Sequence, residues 1–185
     1  MVMPATTYWT ADMVRALPDD GQRYETVHGE LLVTPSPALP HQAVLLELVL
    51  QLGRYLEGEP GWRVLTSPAD ISWSEDILVQ PDIFVASAAE TRTHQWPSVK
   101  TLALAVEILS PSSKRQDRFT KRRLYQTQGV ADYWVVDLES RAIEAWTPGA
   151  TLPVIERDEL HWHPTGAAGP LILDVARLFS RALDD

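Results

Sequence analysis

"LALAVEILSPSSKRQDRFTKRRLY", residues 102–125, decides the fold. Leu102–Leu109 is apolar except for Glu107, which gives it the length and composition of a buried strand. "SPSS" (110–113) breaks that strand, and a helix is expected from about Ser113 to Gln128, closed by Gly129. "DYWVVDLES" (132–140) and "RAIEAWTP" (141–148) then read as a hairpin across Glu139-Ser140. Strand, helix and strand in succession, with β-rich segments upstream, predict a mixed α/β domain whose central sheet is covered by helices.

Working outward, "TADMVRAL" (10–17) is a short helix with Thr10 as N-cap. "RYETV" and "ELLVTP" join across His28-Gly29 as a two-residue hairpin. Pro40 opens a long helix in which Glu47, Gln51 and Arg54 form one narrow polar stripe, so its broad apolar face packs against a sheet. "RVLTS" (63–67) and "ADISW" (69–73) are expected as short strands, and "ILVQPDIFVA" (77–86) as a strand interrupted by Pro81. Residues 87–101 read as loop, "ELHWHP" (159–164) as an edge strand and "DVARLFSRAL" (174–183) as a last helix. No repeat or linker divides the chain, so one domain over 1–185 is expected, with 1–22 as an N-terminal helical extension.

Composition narrows the chemistry. The chain has no cysteine, which excludes disulfides, thiolate metal sites and a Cys nucleophile, and it fits a reducing cytoplasm. "MVMPATTYWTAD" lacks the basic and apolar regions of a signal peptide, and "AVLLELVLQL" is too short to span a bilayer. A net charge of −9 makes the whole surface repel nucleic acid, yet six of the 16 Lys and Arg residues lie between Lys114 and Arg123. That segment reads either as a footprint for phosphates or as a solvated helix face balancing an acidic protein. G-x-S-x-G, G-x-x-x-x-G-K-[ST] and G-x-G-x-x-G are all missing, which leaves esterase, P-loop and dinucleotide readings without an anchor. His161 and His163 share one face of a strand but have no third ligand beside them.

Carboxylates carry the remaining signal. Asp82 in "VQPDIFVA" and Glu107 in "LAVEILS" are each flanked by apolar residues, where an ionised group is costly unless paired or coordinated. Each reads either as a strand-end residue facing solvent or an arginine, or as half of an oxygen-rich Mg²⁺ site. If the two converge, their repulsion raises one pKa and strains the metal-free fold, so that removing either charge is expected to stabilise it. Lys121 reads either as the lysine serving such a site or as an i,i+4 partner of Asp117 on a solvated face.

Pro81-Asp82, then Glu107-Ile108-Leu109 and a later lysine, resembles the PD-(D/E)XK nuclease superfamily. A longer frame narrows the resemblance: "RYETVHGELLVTPSP…H", "QPDIFV", "VEILSPSS…D…K…Y…GVADYWVVD" and "LILDVARLF". These look like the Uma-type family of bacterial proteins assigned as endonucleases, over about Arg23 to Phe179. The resemblance implies a restriction-endonuclease-like fold, a central mixed β-sheet flanked by helices with an additional N-terminal hairpin. It also implies a Mg²⁺-dependent (or Mn²⁺-dependent) deoxyribonuclease, and it is compatible with a homodimer.

By that resemblance Asp82, Glu107 and the Ile108 carbonyl bind the metal, and Lys121 positions or activates the attacking water. Glu25, Glu30 or His41 completes the metal shell or orients water, with Glu25 and His41 preferred, although His41 also reads as a plain helix-start residue and Glu30 as a hairpin-edge charge. Lys114, Arg115, Arg118 and Arg122 would contact DNA. Leu109 occupies the superfamily's usual lysine position, so the lysine must come from the helix. Eight helical residues advance roughly 12 Å, against about 7 Å of strand from Leu109 back to Glu107, an offset a lysine stem can bridge. The rival readings are a catalytically degenerate nucleic-acid-binding or interaction module of the same fold, and a hydrolase of small phosphorylated metabolites.

Overall fold

The computed structural model describes residues 7–184; the first six residues of the expected N-terminal extension, and Asp185, lie outside them. In chain order the elements are α1 (Ala11–Arg15), β1 (Arg23–Val27), β2 (Glu30–Thr34), α2 (Leu39–Leu56), β3 (Trp62–Thr66), β4 (Ile77–Leu78), β5 (Ile83–Ser87) and α3 (Ala88–Thr91). β6 (Leu102–Ile108), a π-helical segment (Gln116–Lys121) and α4 (Arg122–Thr127) follow. The chain continues through β7 (Asp132–Asp137), β8 (Ala142–Trp146), β9 (Val154–Glu156), β10 (Glu159–Trp162), β11 (Leu171–Asp174) and α5 (Val175–Leu183).

The central sheet has the order β3-β5-β6-β7-β8-β9. Only the β6–β7 pair is parallel, because only these neighbours are joined by a crossover helix. Side-chain alternation sends Leu104, Val106 and Ile108 of β6 to one face, where α2 and α5 cover them with Val44, Leu48, Leu52, Leu178 and Phe179. Ala105 and Leu109 face the other way, with Val27 and Leu32 of the hairpin and Leu124 and Tyr125 of α4. Glu107 shares that second face, so its carboxylate is enclosed between the sheet, the hairpin and α4.

Most expected elements are present. Thr10 caps α1 by accepting from the Met13 amide, His28 and Gly29 turn the hairpin with φ of 50° and 80°, and Pro lies in the first turn of α2. Four expectations need correction. Residues 87–101 are not all loop, since Ala88–Thr91 form α3 and Trp96–Ser98 a 3-10 turn. "ILVQPDIFVA" is two strands in two sheets: β4 pairs with β1, and the chain changes sheet at Gln80–Asp82, since Pro81 has no amide to continue a ladder. "ADISW" is no strand but a single bridge, Ile71 to Val79. The helix after β6 is not a uniform α-helix, because residues 116–121 form a π turn. β9, an edge strand in which Val154 and Ile155 are exposed, and β11, which pairs only with β10, were not foreseen; three or four residues are too few for a periodic signal.

Candidate functional site

Asp82 precedes β5 by one residue. Ile83 pairs with Val106 in an antiparallel ladder, so the register carried one step further sets Asp82 opposite Glu107. Two carboxylates, both nearly inaccessible at 3% and 1% exposure, thus share one sheet face on neighbouring strands. Their surroundings differ. Asp82 Oδ1 accepts from Arg23 Nη1 at 2.6 Å, while Oδ2 accepts from the Ile108 amide at 2.8 Å and lies 3.1 Å from His41 Nε2. Burial alone would raise the Asp82 pKa, but the His41 hydrogen bond, the Arg23 charge and the Ile108 amide outweigh it and hold it well below the usual carboxylate value.

Glu107 Oε1 accepts from Lys121 Nζ at 3.0 Å and from the Tyr125 hydroxyl at 3.1 Å. Burial drives its pKa well above normal; Lys121 opposes this, and Asp82, Asp117 and Glu25 reinforce it. Glu25 enters from β1, its Oε1 taking the Gln80 amide at 2.7 Å and its Oε2 lying 2.6 Å from Lys121 Nζ. The latter contact is an ion pair without hydrogen-bond alignment, so Oε2 has no aligned donor. Asp117 Oδ1 is 3.8 Å from the same ammonium, and burial pushes its carboxyl up to about 6. Burial disfavours the Lys121 charge, yet Glu107, Glu25 and Asp117 together raise its pKa, so the ammonium stays protonated.

The π turn helps explain how one helix supplies these groups. Asp117, Lys121 and Tyr125 lie at intervals of four, which drift around a straight α-helix. The wider i→i+5 turn offsets that drift, and all three are buried. Sequence reasoning assigned no role to Arg23 or Tyr125, although both lie inside the motif frame it used.

Four buried carboxylates (Glu25, Asp82, Glu107, Asp117) therefore face two cations (Arg23, Lys121). Among the described residues no three His, Cys, Asp or Glu side chains converge as a ready-made metal cage. A hard divalent cation such as Mg²⁺ needs only one or two carboxylates and keeps its waters. The oxygen donors and the excess negative charge fit such an ion, as do Glu25 Oε2 and Asp117 Oδ1, which meet the Lys121 ammonium but have no hydrogen-bond donor.

The site opens on one side. A cleft of about 860 Å³ runs past Asp82, Arg23, His41 and Ile108 between the hairpin, the start of α2 and the "SPSS" loop. Glu107, Lys121 and Glu25 lie behind its wall. The four basic residues expected to meet DNA are placed differently from one another. Lys114 bonds Glu139, and Arg118 is clamped by Asp137 and Glu144 at 2.8 Å each. Arg122 bonds Gln126 and stacks on Trp146 at 4.6 Å, whereas Arg115 is exposed. His161 bonds Glu159, and His163 bonds the Ala167 carbonyl.

Comparison with known proteins bears on the family and the fold. A family model described as "Uma2: Putative restriction endonuclease" matches residues 11–172. The chain belongs to this family. Among solved structures, the chain is similar to a crystal structure of "a putative nuclease belonging to DUF820 from Anabaena variabilis ATCC 29413". The two share 23% identity over 95% of this chain and 99% of that one, with a TM-score of 0.77. The Uma2 chain thus has the restriction-endonuclease-like fold expected of it, a mixed sheet flanked by helices with an N-terminal hairpin. No curated protein matches it. Among the described residues, no helix of this Uma2 protein is long and apolar enough to cross a membrane.

Proposed function

We propose that this Uma2 protein is a metal-dependent endonuclease that hydrolyses phosphodiester bonds in DNA in the cytoplasm. The observation that carries the reading is the Asp82–Glu107 pair, opposite each other on neighbouring strands, with Lys121 Nζ 3.0 Å from Glu107 and the cleft beside Asp82. Asp82 and Glu107, with the Ile108 carbonyl, would hold Mg²⁺ or Mn²⁺. A divalent ion there supplies a lowered water pKa and charge neutralisation at a phosphoryl oxygen. Lys121 contributes a fixed positive charge that cannot leave, since three carboxylates surround it. It orients Glu107 and stabilises negative charge developing on the substrate side. Tyr125, one turn further along the same helix, also fixes Glu107 Oε1, and Oε2 has no hydrogen bond among the described residues. His41, whose Nδ1 has no partner, holds Asp82 through Nε2.

A second reading has its own support. Arg23, His41 and the Ile108 amide already satisfy Asp82, as in a module that has exchanged catalysis for binding. Supercoiled plasmid incubated with Mg²⁺, Mn²⁺ or EDTA, beside a panel of nucleotides, separates the readings. Metal-dependent nicking lost in Asp82→Asn and Glu107→Gln supports the nuclease. DNA retained without cleavage under every metal supports the binding module, and turnover of nucleotides alone supports a small-substrate hydrolase.

A further inference from the structure

Arg23 lines the cleft beside Asp82. It donates through Nη1 to Asp82 Oδ1 at 2.6 Å, and this is its only side-chain hydrogen bond among the described residues. A guanidinium has five N–H donors in a planar fork, so most of its capacity is unused, and Nε is buried without an acceptor. Its side chain is 21% exposed and forms part of the cleft wall. Arg23 is also the one lysine or arginine lining that cleft among the described residues; Ser, Thr, Gln and Pro make up much of the rest. A polyanion entering the cleft meets no other fixed positive side chain.

Asp82 imposes the complementary constraint. Its carboxylate has about four lone-pair directions, and three donors already occupy it. A divalent ion taking the remaining direction would sit beside the Arg23 guanidinium, and two cations on one buried carboxylate repel. The repulsion ends when the guanidinium turns into the cleft, where a phosphate offers the planar, bidentate acceptor it matches best.

We propose that Arg23 is an exchangeable cation: it neutralises Asp82 in the free protein and passes to a substrate phosphodiester when the strand enters the cleft, leaving Asp82 free for the metal. This rests on the Asp82–Glu107 reading above and deepens it by naming the phosphate anchor. It makes metal and nucleic acid bind with positive linkage, since each relieves competition for the other.

Equilibrium binding in EDTA tests it without turnover. A fluorescein-labelled single-stranded oligonucleotide is titrated by anisotropy into wild type, Asp82→Asn, Glu107→Gln and the double variant Arg23→Gln/Asp82→Asn. The double variant leaves no charge unpaired at this position, and its melting curve checks its folding. Release of Arg23 in Asp82→Asn strengthens binding by about tenfold, the scale of one charge-assisted hydrogen bond. Glu107→Gln removes the same charge nearby without releasing Arg23, so it gains less. The double variant loses the whole gain and binds more weakly than wild type.

Mn²⁺ titrated into wild type binds more tightly with the oligonucleotide than without it. Equal gains in Asp82→Asn and Glu107→Gln, or a gain that survives loss of Arg23, overturn the proposal. Plasmid cleavage by wild type is measured in parallel, so that absence of cleavage counts against the nuclease reading and absence of the binding pattern against the Arg23 exchange.

Discussion

Lys121 Nζ lies 3.0 Å from Glu107 Oε1, joining residues fourteen apart in the chain across the crossover from β6 to its helix. The same ammonium reaches Glu25 of the hairpin at 2.6 Å, so one charge holds three elements together. Lys121→Met therefore removes the charge proposed to serve catalysis together with a structural one. Stranding buried carboxylates costs about 3–5 kcal/mol, and a large fall in melting temperature is expected beside loss of cleavage. Adding Glu25→Gln recovers part of the stability by removing one stranded charge, while cleavage stays lost. Recovery of cleavage in the double variant would confine Lys121 to a structural role.

The two carboxylates of the pair respond in opposite directions when neutralised. Sequence reasoning expects like-charge repulsion to strain the metal-free fold equally through Asp82 and Glu107, but Arg23 and His41 already stabilise the Asp82 anion. In EDTA, Asp82→Asn is expected to cost about 3 kcal/mol, whereas Glu107→Gln, removing a charge that burial disfavours, leaves the melting temperature unchanged or higher. For a site with a dissociation constant near 1 mM, 10 mM Mg²⁺ adds about 1.4 kcal/mol to wild type, and both variants lose that increment. Thermal melts with and without metal read all of this. A full Mg²⁺ response in either variant would remove that residue from the metal site.

Asp117 gives the pH dependence. Burial raises its folded-state pKa from 3.8 to about 6, so the folded protein holds this proton more tightly than the unfolded chain. Its favourable contribution is complete below the unfolded value and is lost as pH rises through about 6. That displacement corresponds to roughly 3 kcal/mol at most. Asp117→Asn should therefore raise stability at pH 7.5 relative to wild type, with the advantage shrinking towards pH 4. Denaturant titrations across that range measure the difference, and a constant offset would show that Asp117 does not titrate there.

Much of the architecture was legible because it depends on local pattern. Leu102–Ile108 is apolar at nearly every position, and the hairpin turn, the α1 cap and the long amphipathic helix each carry their own signal. The sheet change at Pro81 was half legible: the missing amide could be read, but not the identity of the new partner strand. The candidate site was legible as a set of residue types, not as contacts. Asp82 and Glu107 stand out because ionised groups are rare in such runs, whereas Arg23 begins an ordinary hairpin strand and nothing local announces Asp82 as its partner. Tyr125 was hidden for the same reason, since nothing local in its helix announces Glu107 as its partner. The basic run illustrates the converse. Its composition was plain, but which side chains are committed to carboxylates depends on β7 and β8 lying beside the helix.

That commitment decides how the basic run should act on nucleic acid. Arg118 is clamped between Asp137 and Glu144, and Arg122 is held by Gln126 and the Trp146 ring, so these two fasten the helix to the sheet. Arg115 and Arg123 are exposed and have no side-chain hydrogen bond among the described residues, so their charge is available to phosphates. Arg118→Gln should accordingly lower stability by about 1 kcal/mol, since the clamp is only partly buried, and leave the salt dependence of DNA binding almost unchanged. Arg115→Gln and Arg123→Gln should do the reverse. Each should keep the melting temperature of wild type while lowering the slope of log K against log salt by about 0.9 on duplex DNA, or about 0.7 on a single strand. The effect should be uniform across sequences, because phosphate contacts carry no base information. Anisotropy titrations at several salt concentrations give the slope directly. If both exposed arginines leave it unchanged, this helix is a solvated face, and the phosphates are held at the cleft mouth instead.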